Sequence, residues 1–339
     1  MTVQNGIASD KEDENMHCNI ISVTLNPSID VTLWLDDMDF DATNRVLEEK
    51  REVGGKGINV SRVVRSFGLP NLCLTVAGED NSTEFAGYLE QESIHYELLK
   101  IRGAVRENLT LRHEESTIKV NRKGPFLSVM MIGALMALIQ NRMNPGDIVM
   151  FGGSLPENVS VSDYVELMLA VKQAGARIVV DSDLLTLHDY KRVSPWLIKP
   201  NIHELRRIVP VRDSSPEAVA EAAQQLRDAG VENVLVSLGA DGLIFVNSEC
   251  VVRAEVPAVE VKSSVGAGDS ALAGYMIGVV KEYGVEECVR LAAACGTACA
   301  MQDGTSLATR EATFGLLDQI RVERLCSFEE PAAEEAAAE

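Results

Sequence analysis

Residues 147–181 read DIVMFGGSLPENVSVSDYVELMLAVKQAGARIVVD, and this stretch decides the fold class. Ile148 to Phe151 and Arg177 to Asp181 are short apolar runs of the kind that form strands buried on both faces. Between them a helix over 161–173 ends at Gly175, a sound glycine stop. The alternation continues toward the C-terminus. A short helix leads to a strand at Leu197 to Lys199. Helices follow over 201–209 and 216–228, the second closed by Gly230. A strand at Asn233 to Ser237 then enters the hairpin-like Gly239-Ala240-Asp241-Gly242, with a strand at Leu243 to Val246 beyond. Val256 to Val261 is also strand-like, and three helical segments, 267–281, 285–301 and 309–319, finish the body. Strands alternating with helices of this length imply an α/β fold with a mainly parallel central sheet flanked by helices.

Working toward the N-terminus, Ile20 to Leu25 is a buried strand broken by Asn26-Pro27, since proline cannot continue a central strand. Two patches lack helical character: residues 31–53, with strand-like Val31 to Leu35 and Arg45 to Val53, and residues 95–121, with His95 to Ile101, Val105 to Leu111 and Ser116 to Val120. Distant in sequence, they can join into one small sheet. A chain of 339 residues accommodates two average domains or one large α/β domain with such an appendage.

The net charge is −20, of which residues 1–19 carry −3 and the last twelve residues −5. An acidic body repels nucleic-acid phosphates, so neither duplex nor RNA is an expected partner, and a small phosphorylated ligand must be met by a few local cations. Residues 1–18 and 322–339 read as disordered acidic tails, leaving 19–321 as the folded domain. No signal peptide is visible at the N-terminus, and a cytoplasmic location is expected. The longest apolar run, Val129 to Ile139, is about half the roughly 20 residues of a membrane crossing and is expected to be a core helix. Seven cysteines in no framework spacing and five scattered histidines point to small core residues, not to a protein-built zinc site.

The strongest chemical signal is Val265-Gly266-Ala267-Gly268-Asp269-Ser270, opening an apolar helix. Such a turn lines up unpaired N–H groups with the positive end of the helix dipole and suits an anion. Gly266, Gly268 and Ala271 formally fit a dinucleotide fingerprint, although that motif belongs in an early βαβ unit. A plain strand-to-helix turn with Asp269 as an N-terminal charge is the other reading. Phosphoryl transfer gives a carboxylate in an anion site a purpose: Asp269 accepts the proton of the attacking hydroxyl, while the backbone of Gly266, Ala267 and Gly268 holds developing charge. The second signal is Gly54-Gly55-Lys56-Gly57-Ile58-Asn59 at the start of a helix running to Phe67. Gly57 follows the lysine where a Walker A loop requires Ser or Thr, so this is not one. The glycine pair lets a ligand approach the backbone, and Asn59 can both donate to and accept from sugar hydroxyls. Asp30 is a further hydroxyl acceptor.

These two motifs in this order resemble the ribokinase-like carbohydrate kinases, the PfkB family. Asn26-Pro27-Ser28-Ile29-Asp30 narrows the resemblance to the branch of 1-phosphofructokinase and tagatose-6-phosphate kinase. Gly152-Gly153-Ser154-Leu155-Pro156, Lys199-Pro200-Asn201-x-x-Glu204-Leu205 and Ser237-Leu238-Gly239-Ala240-Asp241-Gly242 extend it over roughly residues 20–320. The resemblance implies a ribokinase-like fold with a small β-sheet lid from about 31–53 and 95–121. It implies Asp269 as the base, Asp30, Gly54, Gly55 and Asn59 on the sugar, and Arg45, Lys56 and Arg106 on the acceptor's own phosphate. Asn201 and Glu204 would lie near the ATP phosphates and Mg²⁺, with Glu204 as metal ligand, and Ser237, Gly239 and Gly242 in the nucleotide pocket. Lys123, where relatives carry Pro or Gly, and Asp183, where a small residue is common, depart from the pattern.

The expected activity is ATP-dependent phosphorylation of fructose 1-phosphate to fructose 1,6-bisphosphate, with tagatose 6-phosphate or fructose 6-phosphate as the alternative acceptor. A non-catalytic sugar-phosphate-binding regulator and a dinucleotide oxidoreductase are the rivals from other classes. The expected partners are the phosphosugar, ATP and a second copy of the chain through the lid, without a membrane.

Overall fold

The computed structural model describes residues 3–6, 19–114 and 116–327. Their elements, in chain order, begin with strands β1 (Val3–Gly6), β2 (Ile20–Thr24), β3 (Ser28–Leu35) and β4 (Val46–Gly54). Helix α1 (Lys56–Ser66), β5 (Leu72–Gly78), α2 (Ser82–Gln91), β6 (Tyr96–Ile101), β7 (Arg106–His113), β8 (Ser116–Val120) and α3 (Val129–Arg142) follow. The regular part holds β9 (Ile148–Gly152), α4 (Val161–Gln173), β10 (Arg177–Asp181), α5 (Leu187–Val193), β11 (Leu197–Ile198), α6 (Ile202–Ile208), α7 (Pro216–Asp228) and β12 (Asn233–Ser237). β13 (Leu243–Val246), β14 (Cys250–Glu255), α8 (Ala267–Val280), α9 (Val285–Ala300), α10 (Arg310–Phe314) and β15 (Arg321–Ser327) complete the chain.

The large sheet has the order β1-β6-β5-β2-β9-β10-β11-β12-β13-β14-β15. Its pairings from β6 to β12 are all parallel, and the outer strands on both sides are antiparallel. One face is sealed by apolar residues of α3, α4, α5 and α7, such as Leu135, Val165, Val193 and Leu226. The other is sealed by α1, α8 and α9, through Val60, Leu272, Ile277 and Ala294. Burial on both faces explains why the parallel strands carry continuous apolar runs and not alternating ones. Strand order proceeds from β2 to β5 and β6 on one side, and from β9 onward on the other. The chain therefore has a topological switch point between β2 and β9, where ligand crevices of open α/β sheets form beyond the carboxyl ends of the strands.

The lid is a separate sheet of order β4-β3-β7-β8, with β3 and β7 parallel and the outer pairs antiparallel. Its inner residues Ile29, Val31, Val53 and Val105 join Ile58 of α1 and Phe85 of α2 in one apolar cluster.

Six expectations need correction. Residues 95–101 do not join the lid: β6 pairs in parallel with β5 in the large sheet, with Tyr96 and Leu98 buried beneath α2 and Leu99 buried in the cluster on the other face. Val256 to Val261 is not a strand; the strand lies one step earlier at β14, hairpinned onto β13, and Pro257 with exposed Val261 stands outside any ladder. The C-terminal tail begins later than residue 322, since β15 pairs with β14. In the N-terminal tail, Val3–Gly6 pairs with β6, and the rest lies outside the described residues. The apolar run at 129–139 is a helix but not a core helix: Leu135 and Ile139 are buried, whereas Val129 and Met130 are 75% and 72% exposed. Farther along, the helix expected over 309–319 is only α10 and a 3₁₀ turn at Leu317–Gln319.

Candidate active site

The two glycine motifs meet at the switch point. The lid strand β4 delivers Gly54 and Gly55 directly into α1, and each glycine there has a steric reason. A Cβ on Gly54 would lie 2.2 Å from Oδ2 of Asp30, and one on Gly57 would lie 2.5 Å from Oγ1 of Thr24 at the end of β2. Gly55 has φ +140°, a conformation that side chains rarely adopt. Gly152, at the end of β9, would push a Cβ to 3.1 Å from Cβ of Lys56. The segment 54–57 thus seats between the carboxyl ends of β2 and β9 because bulk has been removed from both. Asp30 faces it from β3, with Oδ1 accepting from Oγ of Ser28 at 2.8 Å and from Nδ2 of Asn108 at 2.9 Å.

From the opposite side, Gly266 caps α8 in the left-handed region (φ +78°), with Leu307 packed where a Cβ would be. Asp269 stands in the first turn of α8, 8% exposed. Asn59 of α1 donates from Nδ2 to Oδ2 of Asp269 at 2.8 Å. The early motif and the late one are therefore in direct contact, although 210 residues separate these two side chains.

Charge at this point is dense. Nζ of Lys56 lies 2.9 Å from Oδ1 of Asp181 at the end of β10, and Nζ of the buried Lys199 is 3.8 Å from Oδ2 of the same carboxylate. Lys199 also reaches Gly268, whose absent Cβ would stand 3.0 Å from Nζ. Burial pushes the Asp269 carboxyl up to about 6, and the neighbouring charge of Asp181 adds to this. The Asn59 hydrogen bond, Lys56 and Lys199 oppose the shift. Asp181 is also disfavoured as an anion by burial, but Lys199 and Lys56 outweigh that and hold it below the usual range. Burial alone would lower Lys56; the charges of Asp181, Asp269 and Glu204 reverse this and raise it. The sequence reading gave Asp181 and Lys199 no role. Each sits in a quoted motif, but the signal that pairs them is tertiary.

Of the residues expected on the nucleotide side, Asn201 caps α6, its Oδ1 accepting from the amides of His203 and Glu204, while Oε2 of Glu204 accepts from the Asn201 amide at 2.8 Å. Asn201 and Ser237 are bridge partners, which brings the ends of β11 and β12 together. Gly239 and Gly242 turn the chain between β12 and β13 with φ +63° and +87°, and a Cβ on Gly242 would stand 2.0 Å from the carbonyl oxygen of Ala254.

The expected phosphate cations divide. Arg106, half-buried at the start of β7, donates to the carbonyl of Asn26 at 3.0 Å, to Oγ of Ser154 at 3.2 Å, and more weakly to the carbonyls of Pro27 and Arg122. Burial lowers its proton affinity, and only the charge of Asp30 acts the other way. Arg45 is elsewhere, exposed at the far end of the β3–β4 hairpin beside Asp36. Six residue steps separate Asp36 from Asp30, about 20 Å at the rise of an extended chain, so Arg45 does not reach the cleft of its own chain. Asn26 and Ser154 stand in quoted motifs without a role of their own, yet Asn26 donates to Oγ of Ser154 at 3.1 Å under Arg106. Of the two departures, Lys123 pairs with Glu157 at the surface and Asp183 with Arg207, so both lie outside this cluster.

Among solved structures, phosphofructokinase-2 from Escherichia coli, in complex with substrates and products, superimposes with TM-score 0.82 at 27% identity, covering 88% of this chain and 98% of that one. Ribokinase from Arabidopsis thaliana has the same fold, with TM-score 0.74 at 20% identity, over 89% of this chain and 99% of that one. In sequence the chain is 33% identical over 306 residues to 1-phosphofructokinase of Bacillus subtilis (strain 168), covering 90% of this chain and all of that protein. It is 28% identical to tagatose-6-phosphate kinase of Staphylococcus epidermidis over 89% of this chain and 99% of that protein. Residues 21–312 match the pfkB family of carbohydrate kinases, and the chain belongs to that family.

Proposed function

We propose that this carbohydrate kinase phosphorylates fructose 1-phosphate at its free primary hydroxyl, using ATP, to give fructose 1,6-bisphosphate. The observation that carries this is the contact of Asn59 with Asp269: it joins a hydroxyl-binding motif to a buried carboxylate at a helix N-terminus. In this reading Asp269 takes the proton of the sugar hydroxyl as its oxygen bonds to the γ-phosphorus and the bond to the β–γ bridging oxygen breaks. The amides of Gly266, Ala267 and Gly268 receive charge on the transferred group. A base poised near 6 suits the task better than an ordinary exposed aspartate would. Asp30 and Asn59 orient the sugar. Arg106 donates to carbonyl and hydroxyl oxygens and forms no ion pair among the described residues, which leaves its charge ready for the acceptor's phosphate. Lys56 and Lys199 offset phosphate charge that this acidic chain would otherwise repel.

Among the described residues no three His, Cys, Asp or Glu side chains group into a metal cage. That suits Mg²⁺ arriving with the nucleotide, since this ion is held largely by phosphate oxygens, water and one or two carboxylates. Glu204 would supply the carboxylate, and the bound ion would neutralise and orient the phosphates. The lid exposes Leu47 (70%) and Val46 (50%), which favours a second copy packing there. No helix among the described residues is long and apolar enough to cross a membrane.

The test is an ATP-dependent product assay on fructose 1-phosphate, tagatose 6-phosphate and fructose 6-phosphate. Turnover highest on the first is expected. Preference for either of the others would move the acceptor to the activity that the tagatose-6-phosphate kinase likeness suggests, and inactivity on all three would refute the substrate class.

A further inference from the structure

Glu52 lies directly opposite Asp30 across the β3–β4 ladder, so both side chains stand on the same face of the lid. Its side chain is only 14% exposed. Oε2 of Glu52 accepts from Oγ1 of Thr305 at 2.5 Å and pairs with Nζ of Lys50 at 3.0 Å. Thr305 belongs to the loop between α9 and α10, and that loop is braced on the Gly266 turn from several sides. Oγ of Ser263 donates to the carbonyl of Gly304 at 2.6 Å, and Lys262 pairs with Asp303 at 3.0 Å. Leu307 fills the space beside Gly266, Cys299 lies between the carbonyls of Val265 and Ser306, and the Ala308 amide donates to Oγ of Ser270.

We infer that the Glu52–Thr305 bond is a latch: it fixes β4, and through the β3–β4 ladder the neighbouring strand that carries Asp30, against the loop that backs the anion turn, making Glu52 and Thr305 positioning residues for the transfer. The inference rests on the proposed reading of Asp30 and Gly266. The bond is charge-assisted, and it crosses from one sheet to a loop of the other half, so its loss frees the lid without opening a core. Thr305 is half-exposed, and replacing it with valine keeps the shape while deleting the donor.

The experiment compares wild type, Thr305→Val and Thr305→Ser by amide hydrogen exchange over residues 46–54 in the ligand-free protein, and by steady-state kinetics. Loss of one charge-assisted bond is expected to speed exchange by about tenfold in Thr305→Val and to raise the sugar KM by a similar factor, with kcat changing much less. Thr305→Ser should restore both. Unchanged exchange in Thr305→Val, or equal loss in the valine and serine variants, overturns the latch. Wild-type inactivity on every sugar overturns the functional reading instead, and the exchange comparison still decides the latch.

Discussion

The two helices that meet at the cleft begin with opposite charges. Helix α1 places Lys56 in its first turn, against its dipole, while α8 places Asp269 in its first turn, where the dipole favours it. Yet Lys56 is the group held more firmly in its charged form, and Asp269 is the one pushed toward neutrality. Burial and neighbours decide this: Asp181 is bonded to Lys56 and merely near Asp269. A helix dipole is worth at most about 2 kcal/mol, and a bonded counter-ion in a buried site exceeds it. The cation is therefore a fixed charge, and the carboxylate is free to trade a proton.

Replacing the tradable group should give the largest effect. Asp269→Asn keeps the shape and is expected to lower kcat by roughly two to four decades while nucleotide affinity stays nearly unchanged. It should also stabilise the protein at pH 8. The native carboxyl titrates near 6 against an ordinary 3.8, so folding is opposed by the ionised form above pH 6, and the penalty vanishes below about pH 4. At about 1.4 kcal/mol per pKa unit the gain is about 1–3 kcal/mol at pH 8, shrinking toward zero at pH 4. Thermal melts at the two pH values check the sign. A mild kinetic effect would take Asp269 out of the role of base.

In the proposed reading, the two glycine turns separate the sugar end from the phosphoryl end. Gly54→Ala would force its Cβ into the Asp30 carboxylate, and the outcome expected is a rise in sugar KM of about 10²-fold with a smaller change in kcat. Gly266→Ala must hold φ near +78° against Leu307, and the loss should fall on kcat by a similar factor. Steady-state kinetics with each substrate varied in turn measures the split. If both variants lose the same parameter, the division of labour between the two turns is wrong.

Sequence carried the parallel sheet and its flanking helices because long apolar runs leave few alternatives: α4, α7, β10 and β12 fall where periodicity and glycine stops put them. It also carried both glycine turns, which stand in the chain as contiguous motifs with a positive φ at Gly55 and Gly266, although neighbours as distant as Asp30 and Leu307 also require them. What it missed has long-range causes. Residues 96–101 look like residues 106–113 to a strand propensity, and only the pairing with β5 separates the large sheet from the lid. Arg45 fits a phosphate cation by type, and nothing local reveals that its hairpin carries it away from Asp30. Asp181 and Lys199 end two neighbouring strands of the parallel sheet, so they meet only once that sheet is closed.

Those two residues allow the finest probe of the opening contrast. Asp181 raises the Asp269 pKa by repulsion, whereas Lys56 and Lys199 lower it. If Asp269 must be ionised to act as base, kcat/KM should fall below about pH 6 in the wild type, and changes at Asp181 and Lys56 should shift that limb in opposite directions. Asp181→Asn removes the repelling charge and releases the two lysines to act on Asp269, so the limb moves down in pH. Lys56→Met removes an attracting charge, so it moves up. The shifts are expected to be about one unit or less, because each group is one of several acting on a buried carboxyl. Plateau activities will drop in both variants, since Lys56 and Asp181 form one ion pair, and each profile is therefore normalised to its own plateau. Displacement in the same direction would mean that the ion pair acts on Asp269 through its position and not through its charge.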